Sequence, residues 1–324
     1  MNILKLILIF LIIKHYYKSQ IYNKKYLNQE NKINNLKLIE SLNRMQEDDI
    51  QIYIYAEKKN FKFFEDYINS INKILKAKII DKIDNNLDIM DKNNIIIFMQ
   101  KLPFLNFKIN NYNKNLFILN TEQLTQKPWL NYFIEKSKDF MIIDYSRENI
   151  SIMNDNNINN VIYFPYIYNE DEIYNLKKTN NVCGIAFNVF ERRRKFYNNL
   201  LKKKIKVDNI TGWKDQRDNL LFRYKIILNI SGIENRTIFE TLRCNRCLFN
   251  KMIIISEHKY KKELIDYADH ILFAKIEDIP DLVNDVLSNY EYYYKKLDLD
   301  NINYTLNNHF INRKFLIDSN KYTY

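Results

Sequence analysis

The stretch NISGIENRTIFETLRC, residues 229 to 244, gathers chemically capable side chains at what reads as a strand-to-helix transition. An apolar strand ends at Ile230-Ser231-Gly232, and a helix is expected from about residue 237, with Glu240 close to its start. A carboxylate placed there can accept the two hydroxyls of a ribose while the free N–H groups of the helix face phosphate. The same letters support a plainer role, because Thr237-x-x-Glu240 matches a capping box in which Glu240 bonds back to the first N–H of its own helix. The pattern does not choose between them. Arg236 can take a phosphate bidentately, or stand exposed at the helix start.

Glycine adds a second signal. The chain holds three glycines among 324 residues, Gly184, Gly212 and Gly232, all in its second half. Each falls within or just after an expected strand, where glycine permits positive φ and close approach of a ligand to the backbone. A phosphate- or nucleotide-binding rim accounts for this placement, and so do tight turns. In the first half, Glu122, Gln123, Asp144 and Ser146 stand at the ends of apolar runs, where one can act as a base on a hydroxyl or simply cap a strand end. His258 follows a strand of the second half. Cys244 and Cys247 are spaced C-x-x-C, but no second pair completes a zinc site, and buried structural thiols are expected. The D-x-D triplet Asp298-Leu299-Asp300 follows a long helix, where a strand end is what metal and diphosphate binding would need, so no metal site is expected.

The elements that must position these residues alternate. Apolar runs at 50–57, 94–100, 115–123, 140–146 and 160–166 read as strands, with a helix over Phe61–Leu75. After a polar stretch at 169–181 a second series begins: strands at 181–187, 205–213, 225–231, 251–256 and 270–275, with helices at 191–204, 215–224, 237–247 and 279–297 and one more helix between the last two strands. Continuous apolar runs without strict alternation mark strands buried on both faces, as in parallel sheets. The fold class that follows is α/β, with two Rossmann-like doubly wound domains facing across a cleft. The expected boundaries are an apolar N-terminal segment at 1–20, an N-terminal domain at 21–168 and a C-terminal domain at 169–324. Within the first segment, residues 3–13 are too few to span a bilayer but compatible with an anchor, a signal-like segment or a buried element. A polar helical stretch is expected at about 28–47.

The charge, 50 Lys and Arg against 39 Asp and Glu for a net of +11, calls for an anionic partner without naming it. Three cysteines exclude a disulfide framework and point to a reducing compartment. The tyrosines fall mostly in strand and helix patterns, and no nucleic-acid motif accompanies them, so nucleic acid is not the expected partner.

The run ILNISGIENRTIFETLRCNRCLFNKMIIISE resembles the C-terminal signature of nucleotide-sugar glycosyltransferases of the GT-B type. The resemblance is nearest to glycosyltransferase-like proteins of large DNA viruses and to the bacterial spore-maturation group. CGIAFNVFERRRKFYNNLL is similar to that domain's first strand and basic helix, and DNITGWKDQRDNLLFRYKIILNIS to its next two strands. LNTEQLT, IIDYSRENI and IYFPYIYNEDEI are similar to parts of the N-terminal domain. The resemblance implies transfer of a sugar from a nucleotide-sugar donor to a glycan, protein or lipid acceptor, without a cofactor or metal. It implies that Glu240 binds the donor ribose and that Arg193 and Arg236 neutralise the diphosphate; Gly184, Gly212, Gly232, Ser231 and Thr237, from their places around the strand ends, are the further donor-site candidates. Asp144, Glu122 and Glu234 are the catalytic candidates. Many relatives carry two glutamates separated by seven intervening residues; counting back from Glu240, that position here is Gly232, and the nearest acid, Glu234, is out of register. This departure favours a second reading, a catalytically silent binding or scaffold protein. The expected location is the cytoplasm or the cytosolic face of a membrane, with a large DNA virus as the source.

Overall fold

The computed structural model describes residues 50–83, 91, 93–100, 115–167, 169–186 and 189–302. The expectations for residues 3–13 and 28–47 lie outside this set, as does the far end of the strand expected at 181–187.

Two parallel sheets form the frame. The first has the order β2-β1-β3-β4-β5-β6 and is parallel throughout, from β1 (Gln51–Tyr55), β2 (Lys78–Ile80), β3 (Asn94–Met99), β4 (Leu116–Asn120), β5 (Met141–Asp144) and β6 (Val161–Tyr163). The second has the order β11-β10-β9-β7-β8 and is also parallel, from β7 (Asn180–Ile185), β8 (Asp208–Ile210), β9 (Tyr224–Asn229), β10 (Ile253–Glu257) and β11 (Ile271–Ala274). Every residue of the central strands β3 and β4 is buried. NIIIFM and LFILN can satisfy that environment because both faces of a doubly wound sheet are covered by helices. The architecture is α/β with two parallel-sheet domains, GT-B-like in form.

Helices α1 (Lys58–Leu75), α2 (Lys127–Lys136) and α3 (Arg147–Asp155) accompany the first sheet. Around the second are α4 (Glu191–Lys202), α5 (Lys214–Leu221), α6 (Thr241–Phe249), α7 (Ile279–Ser288) and α8 (Tyr290–Lys295). α1 buries Tyr67, Ile68, Ile71 and Leu75, an apolar stripe at helical spacing. α3 starts at Ser146, whose hydroxyl accepts the Asn149 N–H, so this strand-end serine serves as a helix cap.

The largest apolar cluster runs continuously through both domains. Tyr166, in the connection, lies 5.9 Å from the Tyr67 ring of α1 and 6.1 Å from Phe249 of α6, centroid to centroid. Separate clusters fill the outer layers beneath α4 and α7 on the second sheet and beneath α2 and α3 on the first.

Four local expectations need correction. In place of the helix expected between the strands at 251–256 and 270–275 there are only two 3-10 turns, Lys262–Leu264 and Ala268–His270. The helix expected at 279–297 breaks at Asn289, whose side-chain amide bonds Asp285 Oδ1, and a second short helix follows. Asparagine competes for local hydrogen bonds and so interrupts a helix that its apolar spacing would continue. The strand expected at 205–213 shrinks to Asp208–Ile210, because Gly212 turns the chain at φ +96°. The helix expected from 237 begins only at Thr241, with Glu240 as its N-cap residue and no side-chain capping bond. The capping box therefore does not form, which frees the Glu240 carboxylate for other partners.

Candidate active site

Strands β7 and β9 end side by side, and the loops that follow them build one wall of a cleft between the domains. The loop after β9 folds on Ser231. Its hydroxyl donates to the Ile233 carbonyl at 2.6 Å, its N–H donates to Glu257, and its carbonyl accepts from Arg192 at 2.9 Å. Ser231 is buried and spends its polar atoms on loop shape. Glu257, at the end of β10, is held bidentately by Arg192 at 2.9 and 2.6 Å, which ties β10, the 231 loop and the start of α4 together.

Gly232 follows in this loop, and its lack of a side chain has a specific cause. A Cβ built at this position would stand 2.3 Å from the Phe190 ring. Phe190, just before α4, needs that space, and its ring in turn carries two guanidinium groups: Arg193 at 5.3 Å and Arg236 at 5.7 Å from the centroid. The glycine thus seats an aromatic shelf for two arginines.

Arg193 is 2% exposed, and no carboxylate lies within ion-pair distance of it among the described residues. Its Nε donates to the Ile230 carbonyl at 2.6 Å and Nη1 to the Ala186 carbonyl at 3.3 Å. Burial, and then the neighbouring Arg243 guanidinium, pull its pKa down to about 10. Ala186 itself stands at φ +50°, a conformation unusual for alanine, just where β7 ends. Arg236 lines the cleft, with its Nε buried and without a hydrogen-bond partner. Arg243 lies one turn along from Glu240, at 3.6 Å. Three cationic side chains therefore converge around one carboxylate, leaving positive charge in excess at the wall.

Glu240 lines a cavity of about 330 Å³ and reaches across it, accepting from Gln123 Nε2 of the first domain at 3.0 Å. Thr121, Glu122, Gln123 and Tyr145 face it from the ends of β4 and β5. Asp144 does not line this cavity. It is 0% exposed beneath it and accepts from Asn120 Nδ2 at 2.6 Å, the Ser146 N–H at 2.7 Å and Asn149 Nδ2 at 3.1 Å. Burial pushes its pKa up to about 7, against the opposing pull of those bonds. Asn120 and Asn149 then hold the next turn, both donating to the Glu122 carbonyl, at 3.0 and 2.9 Å. Asp144 is thus the keystone under the loop that presents Glu122. The Glu122 carboxylate itself lines the cleft and accepts from Gln100 Nε2 at 2.9 Å.

The remaining expected residues lie elsewhere. Glu234 is exposed, and its carbonyl accepts from Lys259. Thr237 is half-buried, ahead of α6, and not among the cavity-lining residues. Gly184 is buried within β7, and Gly212 marks the turn before Trp213, which does line the cavity. His258 is exposed at the far end of β10. Cys183, Cys244 and Cys247 are buried free thiols, and burial pushes Cys247 up to about 12, which keeps it protonated. Asp298 caps a terminal turn by accepting the Asn301 N–H. No cluster of three or more metal-ligating side chains occurs among the described residues, and no helix among them is long and apolar enough to cross a membrane.

Several contributors escaped the sequence reading. Arg243 had a local signal, since it lies at i+3 from Glu240 on one helix face. Phe190 and the Asn120–Asn149 scaffold had none, because their partners are distant in sequence. The same holds for Arg246 of α6. It joins Asp66 of α1 at 2.8 Å, Glu172 at 2.7 Å and Asp218 at 2.8 Å, and with Asp66 it lines the same cavity while tying the two domains together.

No protein-family model matches the chain. Its fold is similar to that of the Anabaena protein Alr3699/HepE, solved in complex with UDP and glucose, with a TM-score of 0.53, 8% identity, and coverage of 85% of this chain and 99% of that one. The same protein in complex with UDP-glucose aligns with a TM-score of 0.50 at 7% identity, covering 83% of this chain and 97% of that one. At this identity the likeness concerns fold. Two Acanthamoeba polyphaga mimivirus proteins are similar in sequence. R358 is 28% identical over 274 residues, covering 79% of this chain and 96% of that protein. L140 is 33% identical over 254 residues, which span 74% of this chain and 81% of L140, and the chain belongs to the family that L140 represents.

Proposed function

We propose that the protein is a glycosyltransferase that takes its sugar from a nucleoside-diphosphate donor held in the interdomain cleft. The observation that carries this reading is the wall at the ends of β7 and β9: a buried Arg193 with no carboxylate partner among the described residues, flanked by Arg236 and Arg243, beside the cleft-facing carboxylate of Glu240. An excess of guanidinium groups in a partly dry site matches a diphosphate, and a single carboxylate next to it matches the paired hydroxyls of a ribose. The arginines supply the positive charge that the departing nucleoside diphosphate needs.

On the opposite wall Glu122 is the catalytic candidate, because it reaches the cleft while Asp144 supports it from below. In direct displacement, Glu122 takes the proton of an acceptor hydroxyl as that oxygen bonds the anomeric carbon. The bond from that carbon to the β-phosphate oxygen breaks with its electron pair on the phosphate. The structural neighbour's UDP and glucose make uridine nucleotides the first donors to try. The acceptor is a glycan, a protein or a lipid.

Calorimetry with UDP, UDP-glucose and GDP on the wild type and Glu240→Ala tests the reading. Wild-type binding that weakens about tenfold or more in Glu240→Ala supports it, as expected when charge-assisted hydrogen bonds are lost. An intact protein that takes none of these ligands overturns it. A second reading, binding without transfer, is favoured by exposed Glu234 and by glycine at 232, which leave Glu240 as the sole carboxylate that the second domain contributes to the cavity lining among the described residues. Donor hydrolysis or transfer separates the two readings, since a silent binder produces neither.

A further inference from the structure

Two polar side chains of the first domain are buried in the cleft wall with atoms left unmatched. Thr121 and Gln123 are each 6% exposed, both line the 330 Å³ cavity, and Thr121 Oγ1 and Gln123 Oε1 have no hydrogen-bond partner. A carboxylate can only accept, so the Gln123 amide must turn its Nε2 to Glu240, which leaves Oε1 as a fixed acceptor. Burying such atoms unpaired is costly, and native structures seldom tolerate it without a partner at hand. Both sit on a turn that is itself held rigid. Asn120 Oδ1 accepts the Glu122 N–H at 2.9 Å, and Asn149 Oδ1 accepts the Leu124 N–H at 2.9 Å. Among the described residues the opposite wall offers no second carboxylate, since the space at Gly232 is filled by the Phe190 ring and Glu234 faces solvent.

We infer that Thr121 and Gln123 form a hydroxyl-reading subsite for the transferred sugar, so that a first-domain turn selects the hexose while the second domain holds the nucleotide. This rests on the nucleotide-sugar reading above. The ligand class is a pyranose with free hydroxyls: Gln123 Oε1 accepts from one, and Thr121 Oγ1 donates to or accepts from another. Because Gln123 also holds Glu240, sugar and nucleotide recognition meet at one amide.

The test compares UDP with UDP-glucose on the wild type, Thr121→Val and Gln123→Met, with GDP and GDP-mannose as the pair if the wild type prefers guanosine. Thermal melts of each variant confirm folding. Thr121→Val keeps the shape of the side chain and touches nothing in Glu240's shell. It is expected to bind UDP as the wild type does and UDP-glucose about five- to tenfold more weakly, the effect of one neutral hydrogen bond. Gln123→Met is expected to lose more affinity for UDP-glucose than for UDP. UDP analogues of glucose lacking single hydroxyls give an independent readout: the wild type rejects the analogue missing the read hydroxyl, and the matching variant no longer discriminates. Equal weakening of UDP and UDP-glucose, or no change in either, overturns the subsite while leaving the donor reading intact. A wild type that binds no nucleotide overturns the donor reading and the subsite with it.

Discussion

Gly232→Ala tests the link between loop geometry and the arginine wall. An added Cβ would stand 2.3 Å from the Phe190 ring, whereas carbon atoms pack comfortably at about 3.5–4.0 Å, so the ring must retreat by more than about 1 Å. The glycine carries no positive φ, so the cost is one of overpacking and not of backbone strain. Overpacking a filled site costs about 1–3 kcal/mol, and Phe190 is half-buried, so part of the clash relaxes outward. Moving the ring also withdraws the shelf under Arg193 and Arg236, at about 0.5–1 kcal/mol for each cation–π contact. The total, about 2–5 kcal/mol, corresponds to a melting temperature lowered by roughly 3–7 °C in a chain of this size. Scanning fluorimetry with and without UDP is the assay, and the stabilisation given by UDP should shrink as well, because the displaced arginines belong to the proposed diphosphate site. The decisive comparison is the double variant Phe190→Ala/Gly232→Ala. With the ring gone the alanine meets no obstacle, so its added cost on that background should fall close to zero. A Gly232→Ala protein as stable as the wild type, or an alanine that costs as much without Phe190 as with it, would refute the reasoning.

The other predictions concern charge. Arg246→Met removes the partner of Asp66, Glu172 and Asp218 at once; Glu172 is left buried without a cation, and Arg217 alone remains to serve Asp218. Stripping one side of a buried ionic network costs about 3–5 kcal/mol, which a shift in the urea midpoint will show; an unchanged midpoint would mean that the network contributes nothing net. Asp144 titrates near 7 in the folded protein, raised by burial from its ordinary 3.8. The folded state therefore holds a proton that the unfolded state has released between about pH 4 and pH 7, so this group's contribution to stability falls as pH rises across that window, by up to about 4 kcal/mol. Urea unfolding of the wild type at pH 5 and pH 7.5 should show the slope, and Asp144→Asn should flatten it, whatever its own baseline stability.

The alternation of apolar runs and helical patterns was legible because each strand of a doubly wound sheet is buried on both faces and so announces itself over four to six consecutive letters, as in NIIIFM and LFILN. Glu240, Arg236 and Gly232 stood out for a similar reason: they share one short stretch at a strand end, where local pattern and position in the sheet coincide. The short edge strand β2 lacks the length for such a signal, and Asn289 interrupts a helix whose apolar spacing runs straight through it.

Local pattern left Glu240 balanced between a capping box and a cleft-facing carboxylate. The balance was broken by Gln123, distant in the chain and on the other domain, which draws the carboxylate across the cavity while the helix starts too late for the cap to form. Tertiary packing likewise turned Asp144 from a candidate base into the support under Glu122, and gave Gly232 its reason in the ring of Phe190. Burial patterns are written into consecutive residues by the solvent each must avoid. The partner of a polar atom is chosen only when the sheets bring remote strand ends face to face, and that pairing leaves no periodic trace along the chain.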